Sequence, residues 1–306
     1  MRGIGCVAVV VGMLSAGLAA AREPWQLSAG PFTTAADVTE HSRAVLDWRD
    51  LRALVGKPEP DWPAALQLYA AGRHFKNHSL GIVADNYNGR LAGVLPRSSA
   101  HFGTPSFQVL AWTGALMKTG GFRQASDAER VAFLDGAAPA LMLNWARYEL
   151  GEADRKAKTA TPNWALTNGA PKNWNEIFAF HVGHEGRDSP YALLQATPEG
   201  ARINERLLAA LAAGQEVLVR QSWPQAEADK VRAILDQASL LLLRQALERS
   251  DPALARRRAA GAWLAGAEPT LAHPEAAKAV AGALSGAADG AALASAASTI
   301  GALIAP

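Results

Sequence analysis

Apolar residues recur at helical spacing along most of the chain, and no run alternates apolar and polar positions as a strand would. Val38, Val45, Leu46, Leu51 and Leu54 form one stripe, which predicts a helix from Asp37 to Val55, ended by Lys57-Pro58-Glu59-Pro60. Asp61-Trp62-Pro63 predicts the start of a second helix, with aspartate as cap and proline in the first turn, running to Gly72. Arg73 to Phe107 is polar and rich in Gly, Asn, Ser and Pro, so a long loop is expected, carrying His74, His78, Asp85, Tyr87 and His101. Apolar helices are expected over Phe107–Met117 and Ser126–Ala153. Ser126-Asp127-Ala128-Glu129 has the form of a capping box, and Pro139 predicts a kink or a break. Beyond a polar link over 155–173, helices are expected from Pro198, Pro224 and Asp251, each with a cap residue beside an early proline. From Pro274 onward Ala, Gly and Ser dominate, compatible with closely packed small-residue helices or with a loosely ordered tail. The expected class is all-α, a helical bundle.

Trp62 to Gly72 (WPAALQLYAAG) is echoed by Trp174 to Gly183 (WNEIFAFHVG), each leading into a histidine-bearing polar loop. The echo predicts two pseudo-repeated helical halves, 45–154 and 174–264, with long polar loops, inside one domain over 22–285, followed by an Ala/Gly-rich tail over 286–306. The alternative is that Ala/Leu-rich helices resemble one another by composition alone.

The first residues change the compartment. Arg2, the apolar stretch Val7–Leu18 and Ala19-Ala20-Ala21 have the layout of a signal peptide over residues 1–21, cleaved near Ala21. A periplasmic or secreted protein is expected, without a membrane span in the mature chain. The only cysteine, Cys6, lies inside that segment, so thiolate chemistry and disulfides are excluded from the remainder. With 30 basic against 28 acidic residues there is no electrostatic footprint for nucleic acid.

Chemistry concentrates in Trp174–Tyr191 (WNEIFAFHVGHEGRDSPY), which holds Glu176, His181, His184, Glu185 and Asp188. Glu185 follows the second histidine instead of lying between the two, so the stretch is not an HExxH zinc motif. A second cluster is Glu149 and Glu152, three apart on one helical face near a helix end, where two carboxylates can grip one cation. Hard ions such as ferric iron favour carboxylate and phenolate oxygens, and imidazole also serves iron. The candidate metal ligands are Glu149, Glu152, His181, His184, Glu185, Tyr69 and His78, with Arg73 as an anion contact. Each has a plainer reading as a solvated helix end, a capping histidine or a surface loop. No GxSxG elbow, Walker loop or GxGxxG occurs.

Several phrases carry a family resemblance: LQLYAAGRHFKNHS (66–79), ARYELGEAD (146–154), NWNEIFAFHVG (173–183), SPYALLQ (189–195) and INERLLAALAAGQEVL (203–218). Together they resemble the low-iron-induced periplasmic proteins of algae, whose domain also occurs in phytotransferrins and in bacterial relatives. The resemblance implies an extracytoplasmic helical protein of iron acquisition that holds ferric iron together with carbonate and passes it to an inner- or outer-membrane iron transporter. It matches the family's acidic helix end to Glu149 and Glu152, its Trp-acidic helix start to Trp174 and Glu176, and its Tyr-x-x-Gly to Tyr69 and Gly72. The family's aromatic-Tyr pair has become Phe180-His181 here. Two other functions compete with non-catalytic iron binding. One is a secreted hydrolase pairing Glu176 or Glu185 with His181; the other is a helical scaffold that binds a partner.

Overall fold

The computed structural model describes residues 23–75, 78–86, 90–104, 106–285 and 289–304. The predicted signal segment and Tyr87 lie outside the described residues. A two-strand antiparallel hairpin, β1 (Ser28–Ala29) and β2 (Phe32–Thr33), comes first, turning at Gly30, whose φ is +52°. The rest is helical, as the apolar spacing predicts: α1 (Thr39–Ser42), α2 (Ala44–Val55), α3 (Trp62–Ala71), α4 (Leu80–Asp85), α5 (Arg90–Val94), α6 (Pro96–Phe102) and α7 (Phe107–Met117) form the first part. Then follow α8 (Asp127–Ala157), α9 (Ala170–Val182), α10 (Pro190–Gln195), α11 (Pro198–Leu218), α12 (Gln225–Leu247), α13 (Pro252–Gly266), α14 (Glu268–Leu271), α15 (Pro274–Ser285) and α16 (Gly290–Ile304). The protein is all-α.

The caps explain many of the boundaries. Asp61 accepts from the Ala64 amide, Ser126 and Glu129 form a reciprocal capping box, and Asp251 accepts from the Ala253 and Leu254 amides. Some expectations differ from the result. The Asp37–Val55 helix is two, because the chain bends at Arg43 between α1 and α2. The expected loop over 73–107 contains the short helices α4, α5 and α6, too brief for their periodicity to show.

Helix α8 continues through Pro139 without a break. An interior proline costs ~3 kcal/mol of helix stability. Here nearly every residue from Ala132 to Leu150 is buried, and that burial outweighs the lost amide. α8 is the central element, with α9 against one side, α13 against another, and α12 and α2 completing its surround. The α8–α13 approach is backbone to backbone: a Cβ added at Gly136 would run into the Arg258 carbonyl, and one at Gly261 into that of Phe133. α16 falls in the stretch set apart by composition as a tail, and it lies on α12 with Leu293, Ile300 and Ile304 buried. No described helix is long and apolar enough to cross a membrane.

The two echoed segments share more than composition. α3 ends at Gly72 (φ 67°, ψ 174°) and α9 at Gly183 (φ 75°, ψ −173°). Each glycine opens a short polar loop that closes on a serine N-cap: Ser79 accepts from the Ile82 amide and Ser189 from the Ala192 amide.

Candidate metal site

α8 and α9 run antiparallel, as the contacts Trp145–Phe180, Glu149–Glu176 and Lys156–Asn173 show by their opposed order. Beside them lies a cavity of about 330 Å³. α8 gives it Trp145, Tyr148, Glu149 and Glu152; α9 gives Lys172, Asn173, Glu176 and Phe180; α1 gives His41, and the loop after α3 gives Phe75 and His78.

At its floor two buried carboxyl groups meet, Glu149 and Glu176. Burial, and then the negative charge of Glu176, push the Glu149 carboxyl well above the ordinary carboxylate range. The two groups hydrogen-bond each other, so without a cation the pair holds a proton between them. Asn173 fixes their orientation. Its amide NH2 donates to Glu149 Oε2 and, at 2.9 Å, to Glu176 Oε2. Its carbonyl accepts from Lys156 Nζ at 2.7 Å, which settles which end of the amide faces the acids. Lys156 is itself held by the Asn168 carbonyl at 2.8 Å.

His41 Nε2 stands 3.3 Å from Glu176 Oε1, while its Nδ1 is buried and has no hydrogen-bond partner. Burial pushes the imidazole pKa down against the opposing pull of Glu176. The contact is therefore a neutral ring N–H donating to a carboxylate, and the ring is in the protonation state that ligates metals. Lys172 Nζ, bonded to the Asp37 carbonyl, lies 3.7 Å from Glu176 Oε1. Higher in the cavity, Arg155 grips both oxygens of Glu152 at 3.0 and 2.7 Å and holds that carboxyl below its usual range. Burial and the neighbouring glutamates push the Tyr148 phenol up to about 12. Phe75, stacked on His78 with ring centres 4.6 Å apart, closes one wall.

Of the candidate ligands and anion contact named from sequence, Glu149, Glu152 and His78 line this cavity, together with Glu176 of the dense cluster. Five others stand elsewhere. His181 is fully buried on another face of α9, bonded through Nε2 to Asn204 Oδ1 at 2.9 Å, and burial pushes it down to about 4. His184 lies beyond Gly183 with Nδ1 3.4 Å from Ser42 Oγ, and Glu185 pairs with Arg49 at 3.1 Å. Tyr69 is stacked on Trp112, ring centres 5.3 Å apart, with its hydroxyl buried and unpartnered. Arg73 donates to Asp50 at 2.9 Å instead of to an open anion position. The hydrolase pairing also lacks its contact, since the hydrogen bond of His181 goes to Asn204.

His41 escaped sequence reading because it sits in a plain amphipathic stretch with no motif. Glu176 was visible as part of the dense cluster, and Phe180 at i+4 marks its face; His181, one residue further, is turned by about 100°. Among the described residues, no group of three or more His, Cys, Asp or Glu side chains is disposed to hold a metal ion as it stands.

A family model described as Fea1, low iron-inducible periplasmic protein, matches residues 5–211. The chain belongs to this family. The family's description ties it to the periplasm and to iron scarcity. The match takes in α1 to α10 and ends inside α11, so every residue named around the cavity lies within it. No curated protein and no solved structure matches the chain.

Proposed function

We propose that the protein binds ferric iron outside the cytoplasm, in the cavity between α8 and α9, as a carrier without catalytic turnover. The observation that carries this reading is the Glu149–Glu176 pair. Two carboxyl groups buried together are costly unless a proton or a cation lies between them. A hard trivalent cation relieves that repulsion, and the donors at hand are the oxygen and imidazole ligands it prefers. Entry of the ion expels the shared proton. Asn173, pinned by Lys156, keeps both carboxylates aimed at one point, and His41 is the nearest imidazole, its Nε2 free to ligate once the ring proton moves to the unpartnered Nδ1. The gap between these groups and a closed ligand shell is bridged by rotamer changes of His41, Glu152 and His78. The Tyr148 phenol, whose basicity is raised by its neighbours, is a further oxygen donor once the cation is present.

Carbonate, in this reading, sits on the cationic side of the cavity, at Lys172 and at Arg90 of α5, which also lines it, and not at Arg73. Residues 1–21 export the chain, and a membrane iron transporter takes the iron from it.

The test is titration of metal-free protein with ferric iron supplied as a weak chelate, with and without bicarbonate, followed by gel filtration and metal analysis. Stoichiometric iron that co-elutes with the wild type, and is lost in Glu149→Gln/Glu176→Gln, is the expected result. No bound iron under either condition would sink the proposal.

A further inference from the structure

Another face of α8 borders a second cavity of about 390 Å³. Arg147, Leu150 and Gly151 of α8 meet Leu95, Pro96 and Arg97 at the start of α6, Arg232 and Asp236 of α12, and Glu268, Pro269 and Ala272 around α14. The α12 and α14 walls come from beyond the family match.

Three guanidinium groups face two carboxylates here, and both carboxylates are engaged. Asp236 accepts from Arg147 Nε at 2.8 Å, and Glu268 accepts from the Ser98 amide at 2.6 Å. Arg147 is buried and fixed further by Asn144, the Leu235 carbonyl and Ser239. Two cations remain. Arg97 is exposed and makes no hydrogen bond or ion pair among the described residues. Arg232 pairs only with Asp229, both about half exposed, a contact worth little and easily exchanged.

From this we infer that the cavity binds a small organic acid carrying two or three carboxylates. Guanidinium forks match carboxylates in bidentate geometry, and Arg97 and Arg232 each have one to offer. Leu95, Leu150 and Pro269 supply apolar wall for the carbon chain between them, which an inorganic anion would not use. Arg147 and Asp236 form the floor and set the depth.

The experiment is calorimetric titration of the metal-free full chain with succinate and with citrate, at constant ionic strength, with sodium sulfate as comparison. Arg97→Ala/Arg232→Ala removes two exposed side chains, and its fold is checked by circular dichroism and Tm. Arg90→Ala alters the cavity between α8 and α9 instead. Saturable binding of at least one acid, weakened about tenfold or more in the double variant and unchanged in Arg90→Ala, is expected from the loss of two charge-assisted contacts. No saturable binding overturns the inference. So does equal binding of sulfate, which would make this an unselective anion site. A loss in Arg90→Ala with none in the double variant places the acid in the other cavity and overturns it equally.

Discussion

The α3–Gly72–Ser79 and α9–Gly183–Ser189 segments share one backbone design and differ in what their helices present. Counting back from each glycine, Tyr69 corresponds to Phe180, Ala65 to Glu176 and Ala70 to His181. In the first segment the aromatic stacks on Trp112 and the surroundings close over it. In the second, Phe180 packs on Trp145, and Glu176 one turn earlier meets Glu149 across the α8–α9 seam. Where the first segment has Ala65 buried in the core, the second has Glu176 on the cavity wall. The frame is structural in both; the chemistry is local.

The largest effect is expected from breaking the chemistry without touching the frame. Glu149→Gln/Glu176→Gln should lower ferric affinity by about a thousandfold or more, roughly 4 kcal/mol, read by competition with a chelator of known strength. Tyr69→Phe should leave that affinity unchanged, which separates the two segments functionally.

Next comes acid titration, in which the two buried groups have opposite signs. His181 is depressed to about 4 in the folded state. The stability it contributes is complete above its unfolded pKa of about 6.5 and is lost as pH falls toward 4, a span of roughly 3 kcal/mol. Glu149 is raised, so metal-free protein loses stability from this pair as pH rises above the ordinary carboxylate range. Urea midpoints measured across pH should show both slopes. His181→Gln should flatten the acid limb and Glu149→Gln the opposite one, and ferric affinity should rise with pH as the shared proton becomes easier to displace.

Gly72→Ala and Gly183→Ala test the shared frame. Both positions have positive φ, and the new methyl would meet the His78 carbonyl at 2.5 Å or the Val45 side chain at 2.7 Å. Each should cost about 2 kcal/mol in chemical denaturation. Only Gly72→Ala presses on a residue of the cavity, His78, so only it should also disturb iron binding. The smallest effect is that of Tyr69→Phe on stability, within about 0.5 kcal/mol, because the hydroxyl it removes is buried without a partner.

Helices whose starts carry Asp61, Ser126 or Asp251 were legible because a cap, an early proline or a capping box is local chemistry. The all-α class followed from periodicity in the same way. The break at Arg43 and the short α4 to α6 were not legible, since a turn or two gives too few apolar positions to show a period. That Glu149 and Glu152 border one cavity was legible in their spacing on one helical face. Glu176 belongs to the dense cluster legible in the sequence, and His181, at i+5 from it, lies off the face that Glu176 and Phe180 share. His41 could be found only from tertiary structure, because what matters is where α1 crosses α9, and nothing in its own neighbourhood encodes that.

The glycines at 136 and 261 bear on how the proposed iron-binding unit can be isolated. A fragment trimmed to the family boundary would keep every side chain around the Glu149 cavity and lose the surface on which α8 is seated. The face of α8 around Gly136, fitted to the α13 backbone, would be left open to solvent with its buried apolar residues. Such a fragment should be poorly soluble or molten even though its inventory of ligands is complete. The smallest piece expected to keep α8 seated extends through α13.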